Sequence, residues 1–368
     1  MFRRPLIVFS ALALIATSCE WRPLEDPSPT VELAVVVELK AVLNVNVSVY
    51  NELIPVPKIE TDMVRVMFYD PDSHKLVSQA FLSEKTYRYD EEGNRVPCLG
   101  GDVNVSTGKY DMICYNFDTP DTFIRGENDI TTLEAYTDEV PASIKAKYKG
   151  LDDINVLYEP DHVIVARDIG LEITPHTGLL VIETEATTIV DTYYIQVRIQ
   201  GAQYASDASA ILSGMSPSNY FGLAEREVQN PSAVYFNMQK SQDLKIQDTN
   251  KDVLCNTFNT FGKIYHNIDN GTADSRKGDG TKADGDITPE DSDLRVTFNV
   301  IRTDGKAFDF EINMNDVFMT EDALERHWLL INAVIDIPKP DDDPQGGGGG
   351  GFTPEVEDWQ DQEGEVVI

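Results

Sequence analysis

The side chains that could do covalent chemistry are scattered along the chain. Five histidines, His74, His162, His176, His266 and His327, fall in no HExxH or other regular pairing that would seat a zinc ion beside a general base. There is no GxSxG elbow for a serine nucleophile and no Walker loop for a nucleotide phosphate. Carboxylates are abundant, with 63 Asp plus Glu, but a glycosidase needs two of them at a set separation and no pair stands out. "DTNKD" (Asp248–Asp252) starts like a calcium loop. Val253 then stands where the sixth position needs glycine, and Asn259 where the twelfth needs a bidentate glutamate. Asp279, Asp284 and Asp286 read as a solvated acidic loop. Cys98, Cys114 and Cys255 show no CxxC or Cys/His spacing for zinc. Cys98 and Cys114 lie within one hairpin's length, either bridged in an oxidising compartment or separate as small buried hydrophobes. The expectation is a non-enzymatic protein with no catalytic residue, metal site or cofactor.

The one cysteine whose surroundings suggest chemistry is Cys19. Met1–Arg4 carries two arginines, Leu6–Ile15 is apolar apart from Ser10, and Ala16, Thr17 and Ser18 are small. That is a signal peptide: basic start, short apolar stretch, small-residue cleavage zone, too short to remain as a membrane span. Cys19 directly after Ser18 resembles the bacterial lipobox, although Ala16 stands where that pattern usually has Leu, Val or Ile. The resemblance implies cleavage before Cys19, palmitate-type diacylation of its thiol and acylation of the new amino terminus. Buried acyl chains contribute about 0.8 kcal/mol per CH₂, so two or three hold a protein stably where one does not. No later segment approaches 18 uninterrupted apolar residues, which makes the lipid the expected attachment to the outer membrane. "EWRPLEDPSPT" (Glu20–Thr30) is acidic and proline-rich, an extended tether.

Beyond Ser18 the chain has 350 residues, and without Arg3 and Arg4 it carries 28 basic against 63 acidic residues, a net charge of −35. Such a balance excludes nucleic acid, whose phosphates need a basic footprint. Hydrophobic content of 41% supports folded bodies.

The dominant period is two. "VELAVVVELKAVLNVNVSVY" sets Leu33, Val35, Val37 and Leu39 on one face, then Leu43, Val45, Val47 and Val49. "DMVRVMFYD" (Asp62–Asp70), "GKYDMICYNF" (Gly108–Phe117), Gly178–Gly201, Ser232–Gln239, Asp293–Met314 and His327–Pro338 predict further strands. Thr303-Asp304-Gly305-Lys306 predicts a hairpin, with Asp-Gly suited to a type I′ turn. "TEDALERHW" predicts one or two helical turns capped by Thr320, and "DASAILSGM" from Asp207 one more. Many short strands between turn signals mean β-sandwiches. The expected domains are 31–166 and 167–337, joined near Ala166–Asp168, with 267–293 a long polar loop. "PKPDDDPQGGGGGG" (Pro338–Gly351) is a flexible linker with an r.m.s. span of roughly 20 Å. After it, Phe352, Val356, Trp359, Val366, Val367 and Ile368 restore apolar character among six acids, a pattern that predicts a docking strand.

"SCEWRPLEDPSPTVELAVVVEL", "GKYDMICYNFDTPDTFIRG", "YYIQVRIQGAQYASDASAILSGMSPS" and "LRVTFNVIRTDGKAFDFEINM" resemble the fimbrillin-like lipoproteins of Bacteroidales, especially FimB-type fimbrial anchors and minor subunits. That resemblance implies an all-β chain of two tandem transthyretin-like sandwiches with a glycine-linked C-terminal tail. It also implies a lipid-anchored protein of the outer membrane, at the cell surface, whose partners are other fimbrial subunits joined by strand addition. The competing expectation is a surface adhesin for glycan or host protein. A glycan binder needs an exposed aromatic platform, yet Trp21 and Trp359 lie in tethers and Trp328 in a predicted core strand. On the lipobox reading, Cys19→Ala should leave unprocessed precursor or soluble protein in place of a membrane-bound species. Intact-mass analysis of membrane fractions checks this, and an unmodified Cys19 there would count against it.

Overall fold

A computed structural model describes residues 30–39, 61–89, 93–149, 151, 154–177, 179–241, 252–264 and 294–340. Its strands, in chain order, begin with β1 (Thr30–Leu39), β2 (Val64–Tyr69), β3 (Leu76–Leu82), β4 (Glu84–Tyr89), β5 (Arg95–Ser106) and β6 (Gly108–Asn116). Then come β7 (Thr122–Arg125), β8 (Glu134–Thr137), β9 (Val156–Tyr158), β10 (Ile164–Ile173), β11 (Leu180–Thr188) and β12 (Asp191–Gln200). Next are β13 (Ala205–Met215), β14 (Ser218–Tyr220), β15 (Glu225–Arg226), β16 (Ser232–Asn237), β17 (Gln239–Ser241) and β18 (Val253–Thr260). The last are β19 (Arg295–Arg302), β20 (Ala307–Asn313) and β21 (Trp328–Asp336). Two short helices, α1 (Ala142–Lys145) and α2 (Glu321–Arg326), complete the regular structure with a few 3₁₀ turns. The chain is all-β.

The first body is an eight-stranded sheet in the order β3-β2-β6-β10-β11-β1-β5-β4. Strands β10 and β11 pair only at Ile164↔Thr188 and Val165↔Thr187. The sheet therefore folds over there into two four-stranded halves, sheet A (β11-β1-β5-β4) and sheet B (β3-β2-β6-β10). Leu33, Val35 and Val37 of β1, Leu99, Val103 and Val105 of β5, and Val64, Val66 and Phe68 of β2 share one core between them. The period-two face of β1 is thus the core face, while residues 43–49 lie outside the described residues.

A second sandwich joins sheet C (β20-β19-β13-β16-β9) to sheet D (β17-β18-β12-β21). Its core stacks rings in sequence: His327 on Tyr193 at 4.7 Å, Tyr193 on Phe258 at 5.8 Å, and Phe258 on Phe236 at 4.2 Å. Helix α2 forms where expected, with the Thr320 hydroxyl accepting from the Ala323 N–H at 3.2 Å. Trp328 is buried, as its predicted core strand requires.

Two local sequence expectations need correction, and one open alternative closes. "DASAILSGM" makes up the last nine residues of β13, not a helical turn. Ala208, Ala210 and Leu212 face the main core, while Ile211 faces Val140, Tyr148 and Leu151 on the other side of the sheet. A strand buried on both faces loses the alternation that marks half-buried strands. The Thr303–Lys306 hairpin forms, with Arg302 N–H donating to Lys306 O at 2.8 Å, but among its residues only Gly305 has positive φ. A type I′ turn would also place Asp304 there; Asp304 instead turns back to Arg302. Cys98, Cys114 and Cys255 are buried thiols, so Cys98 and Cys114 take the unbridged alternative.

The expected boundary at Ala166–Asp168 falls inside β10, which pairs with β6 from Val165 to Ile173. The first sandwich runs on through β11, and only Ile189 and Val190 separate β11 from β12. The bodies are also not sequential. After β8 the chain crosses to the second body, where β9 pairs in parallel with β16, and then returns to β10. Between the bodies a small sheet, β15-β14-β8-β7, takes two strands from each half of the sequence. Behind it lies a shared apolar layer: Met67, Tyr69, Ile113, Tyr115 and Val165 of sheet B against Leu133, Phe221 and Phe261.

Phe221 is fully buried, with its ring 5.2 Å from that of Tyr115. Phe221→Ala should cost about 3–5 kcal/mol. Because the layer is shared, amide exchange should quicken in β2 and β6 as well as around β14. Exchange confined to β14–β16 would show that the bodies are uncoupled.

Candidate functional site

Cys19 and the tail residues Phe352, Val356, Trp359, Val366, Val367 and Ile368 lie outside the described residues. The fold does show how the chain next to them is held. At one end, Thr30 opens β1, which lies between β5, antiparallel from Thr30↔Ser106 to Glu38↔Cys98, and β11, parallel from Leu33↔Leu180 to Leu39↔Ala186. At the other end the chain leaves β21 through a fixed exit. Ile337 N–H donates to Gln200 O at 2.9 Å. Arg302, only 2% exposed, donates to Pro338 O at 3.1 Å and to both carboxylate oxygens of Asp304, at 3.0 and 2.7 Å. The Arg302 hydrogen bonds hold the Asp304 carboxyl down at about 2. Gly201 has a φ of 77°, and a Cβ there would sit 2.1 Å from Ile337 O. Sequence reasoning missed this exit, because Arg302 next to an Asp-Gly turn signals only the hairpin.

Sheet edges are the other candidate contacts, since unpaired backbone groups accept an added strand. Sheet A ends at β4 and sheet B at β3, while sheet C has edges at β20 and β9 and sheet D at β17 and β21. On β20 the residues alternate: Phe308, Phe310 and Ile312 pack against the core, while Asp309 and Glu311 face outward. Beside β3 and β4 stand exposed aromatics: Phe81, Tyr87, Tyr89 and Phe117. Their rings are not coplanar, with Tyr87 and Tyr89 crossing at 87° and Phe81 and Phe117 at 55°. The Arg95 guanidinium lies 3.7 Å over Tyr87 and that of Arg65 lies 5.7 Å from Phe81.

Burial pushes the Cys255 thiol up to about 11 and that of Cys114 further, so neither is poised to react. No group of three His, Cys, Asp or Glu among the described residues could hold a metal ion. Asp252 is the one residue of the calcium-like "DTNKD" stretch that is described.

Two carboxyls and an imidazole perturbed by burial lie together on the return crossing from β9 to β10, Glu159–His162. Glu159 accepts from Asn259 N–H at 3.1 Å, and Pro160 O from the Asn259 side chain at 3.0 Å, tying the crossing to the second body. Asp161 accepts from the Asp121 and Thr122 N–H groups at 2.6 and 3.0 Å, tying it to the entry of β7. Burial pushes Glu159 up to about 7; the Asn259 N–H opposes this, and Asp161 and Asp121 add to it. His162, with no hydrogen-bond partner at either ring nitrogen, is pushed down by burial to about 4.

Residues 39–237, more than half of the sequence, match a protein family described as a domain of unknown function, DUF5119. The chain belongs to the DUF5119 family. The DUF5119 segment takes in β2 through β16 and so spans both bodies and the layer between them. A relative named "Putative fimbrium anchoring subunit Fim4B", from Bacteroides ovatus, is 23% identical over 239 residues. That match covers 65% of this chain and 61% of the relative, so the chain spans less than two thirds of that protein's length. Among solved structures, a "putative adhesin" from Bacteroides ovatus superposes with a TM-score of 0.54 at 19% identity, covering 85% of this chain and 94% of its own. It shares the fold. The fimbrial anchor protein Mfa2 from Porphyromonas gingivalis aligns with a TM-score of 0.42 at 11% identity, over 83% of this chain and 91% of its own. The sequence resemblance to Bacteroidales fimbrial anchors has its counterpart in the relative named "Putative fimbrium anchoring subunit Fim4B".

The crossing gives a pH signature. Glu159 titrates near 7 in the folded chain and near its ordinary 4.5 when unfolded. The folded state therefore holds the extra proton between those values, and this contribution to stability falls as pH rises through them. His162 titrates near 4 folded and 6.5 unfolded; the unfolded chain holds the extra proton there, and stability rises with pH. The two slopes oppose one another between about pH 4.5 and 6.5. Glu159→Gln should unmask the histidine slope, with denaturant stability rising across that window and exceeding the parent's above about pH 7. A variant that tracks the parent at every pH would show that the carboxyl is not held protonated.

Proposed function

We propose that this chain is a lipid-anchored surface protein of the outer membrane, acting as the anchor or a minor structural subunit of a fimbria, without enzymatic activity. The observation that carries the reading is the relationship to a protein named as a fimbrium anchoring subunit, on a chain that shares the fold of a protein described as an adhesin. At the coarser level the curated relative supports a fimbrial or adhesin-like protein of the cell surface. The Ser18–Cys19 junction supplies the lipid attachment, and no helix among the described residues is long and apolar enough to cross a membrane. Partner subunits join by strand addition, the tail Phe352–Ile368 donating and exposed sheet edges offering backbone groups to pair. The linker, with its roughly 20 Å mean span, sets the radius within which effective concentration favours an edge.

The glycan-binding alternative has exposed aromatic rings in its favour. Against it, Tyr87 has a guanidinium on its face and Phe81 has one close by, and their neighbours stand at steep angles. A sugar needs an open flat face to stack on.

Deleting Phe352–Ile368 should leave both sandwiches folded, with unchanged circular dichroism and melting, while incorporation into fimbriae is lost. Counting cell-attached against shed fimbriae reads the outcome. Normal levels of anchored fimbriae with the truncated chain would remove the donor role.

A further inference from the structure

The register of the terminal strands has a mechanical consequence. Strands β11 and β12 are separated by two residues, and each carries a terminal strand in parallel. Strand β1 runs alongside β11, with Leu39 opposite Ala186 near the β11–β12 junction and Thr30 at the remote end. Strand β21 runs alongside β12, with Trp328 opposite Tyr194 near the junction and Asp336 opposite Gln200 at the remote end. Both ends of the described chain therefore leave their sheets at the end away from the junction. A pull on the first end draws β1 along its own axis, away from the junction. A pull on the last end draws β21 along its axis in the same manner.

We infer that the fold is a tension element whose two terminal strands are both loaded in shear. Each rung of a strand ladder contributes only a little net stability. A strand peeled from one end breaks its rungs in turn, whereas a strand drawn lengthwise must break them together. For β1 that means nine paired positions on β5 and seven on β11. Leu33, Val35 and Val37, fully buried, must also slide past the opposing sheet. Strand β21 is the weaker member, an edge strand with seven paired positions on β12. Its exit is latched. Arg302, at the end of β19, holds Pro338 O, and Gln200 O at the end of β12 holds the Ile337 N–H. The latch ties the leaving chain to both sheets of the second sandwich.

Only the source of the load, a membrane tether pulling against a fimbria, rests on the proposed function. The shear geometry belongs to the fold. Single-molecule stretching of the full chain tests it with ligation tags at two pairs of sites. One pair is the two termini. The other is the N-terminus and the Thr107–Gly108 turn, beside Ser106, the register partner of Thr30, which peels β1 pair by pair. The first rupture force end to end, where the β21 rungs must fail together, should exceed that in the peeling geometry, where the β1 rungs fail singly, by at least about twofold. Arg302→Gln should lower the force of the event whose length gain matches release of β21, and leave the β1 peeling force unchanged. Equal forces in the two geometries would overturn the inference, and so would a folded Arg302→Gln chain with an unaltered β21 event. The comparison of geometries uses the parent sequence, so it stands even if the variant folds poorly. Should the tail deletion leave fimbriae anchored, the donor role of the tail falls while the force anisotropy is still measured by itself.

Discussion

Sheet B has no face that can be left to water. In β6 the residues from Tyr110 to Asn116 are buried without a break. Tyr110, Met112 and Cys114 belong to the first core, and Ile113 and Tyr115 to the layer on the other side. Sheet A covers only one of these faces. Covering the second requires apolar groups from elsewhere, and the chain supplies Ile130 and Leu133 from the β7–β8 connection and Phe221 and Phe261 from the second half. That requirement accounts for the path of the chain. Strands β7 and β8 leave the first body to pair with β14, β9 travels on to pair with β16, and β10 must come back to close sheet B. Two sandwiches that would be sequential beads are instead joined through a buried third layer.

Charge plays a different part. With −33 overall, self-repulsion favours solubility and works against compaction. Ion pairs such as Lys75–Asp129, Arg326–Asp322 and Arg295–Glu311 are exposed, and such pairs are worth about 0–1 kcal/mol. They do not hold the fold. Arg302 is the exception, because its guanidinium is out of water and its donors must find acceptors inside the protein. Asp304 and Pro338 supply them, which is why a buried charge sits where the chain leaves the last strand.

How much of this is legible in the sequence depends on where each side chain finds its partners. Half-buried strands announce themselves: β1 stands where period two places it, and α2 carries its own cap at Thr320. Strands buried on both faces do not. "DASAILSGM" and "DMICYN" lack alternation, and the second is recognisable as a strand only because β-favouring residues surround it. A boundary near Ala166–Asp168 is the wrong inference from a real signal, since a strand set does restart there, but β10 restarts by completing the earlier sheet. No local signal separates a strand that opens a domain from one that closes it. The candidate site divides in the same way. Cys19 and the tail are legible as local composition, whereas the Glu159–His162 crossing and the Arg302 exit depend on partners tens of residues away. For Glu159 and Asn259 that separation is 100 residues, beyond any window of pattern reading.

The two ends of the described chain are held unequally, and the inequality suits different tasks. Strand β1 lies inside sheet A, paired on both sides, so it cannot leave without opening the first core. Strand β21 lies at the edge of sheet D, and Pro338 already stands past its last paired position, Asp336. A permanent attachment belongs on the strand whose loss would unfold the body, because its lifetime is then set by the rate of unfolding. An engagement with another molecule belongs beyond an edge strand, where the segment can pair or release without disturbing a core. The proposed tether before β1 and the proposed docking segment after β21 would follow that order. The reverse arrangement would make each assembly event compete with the stability of the fold.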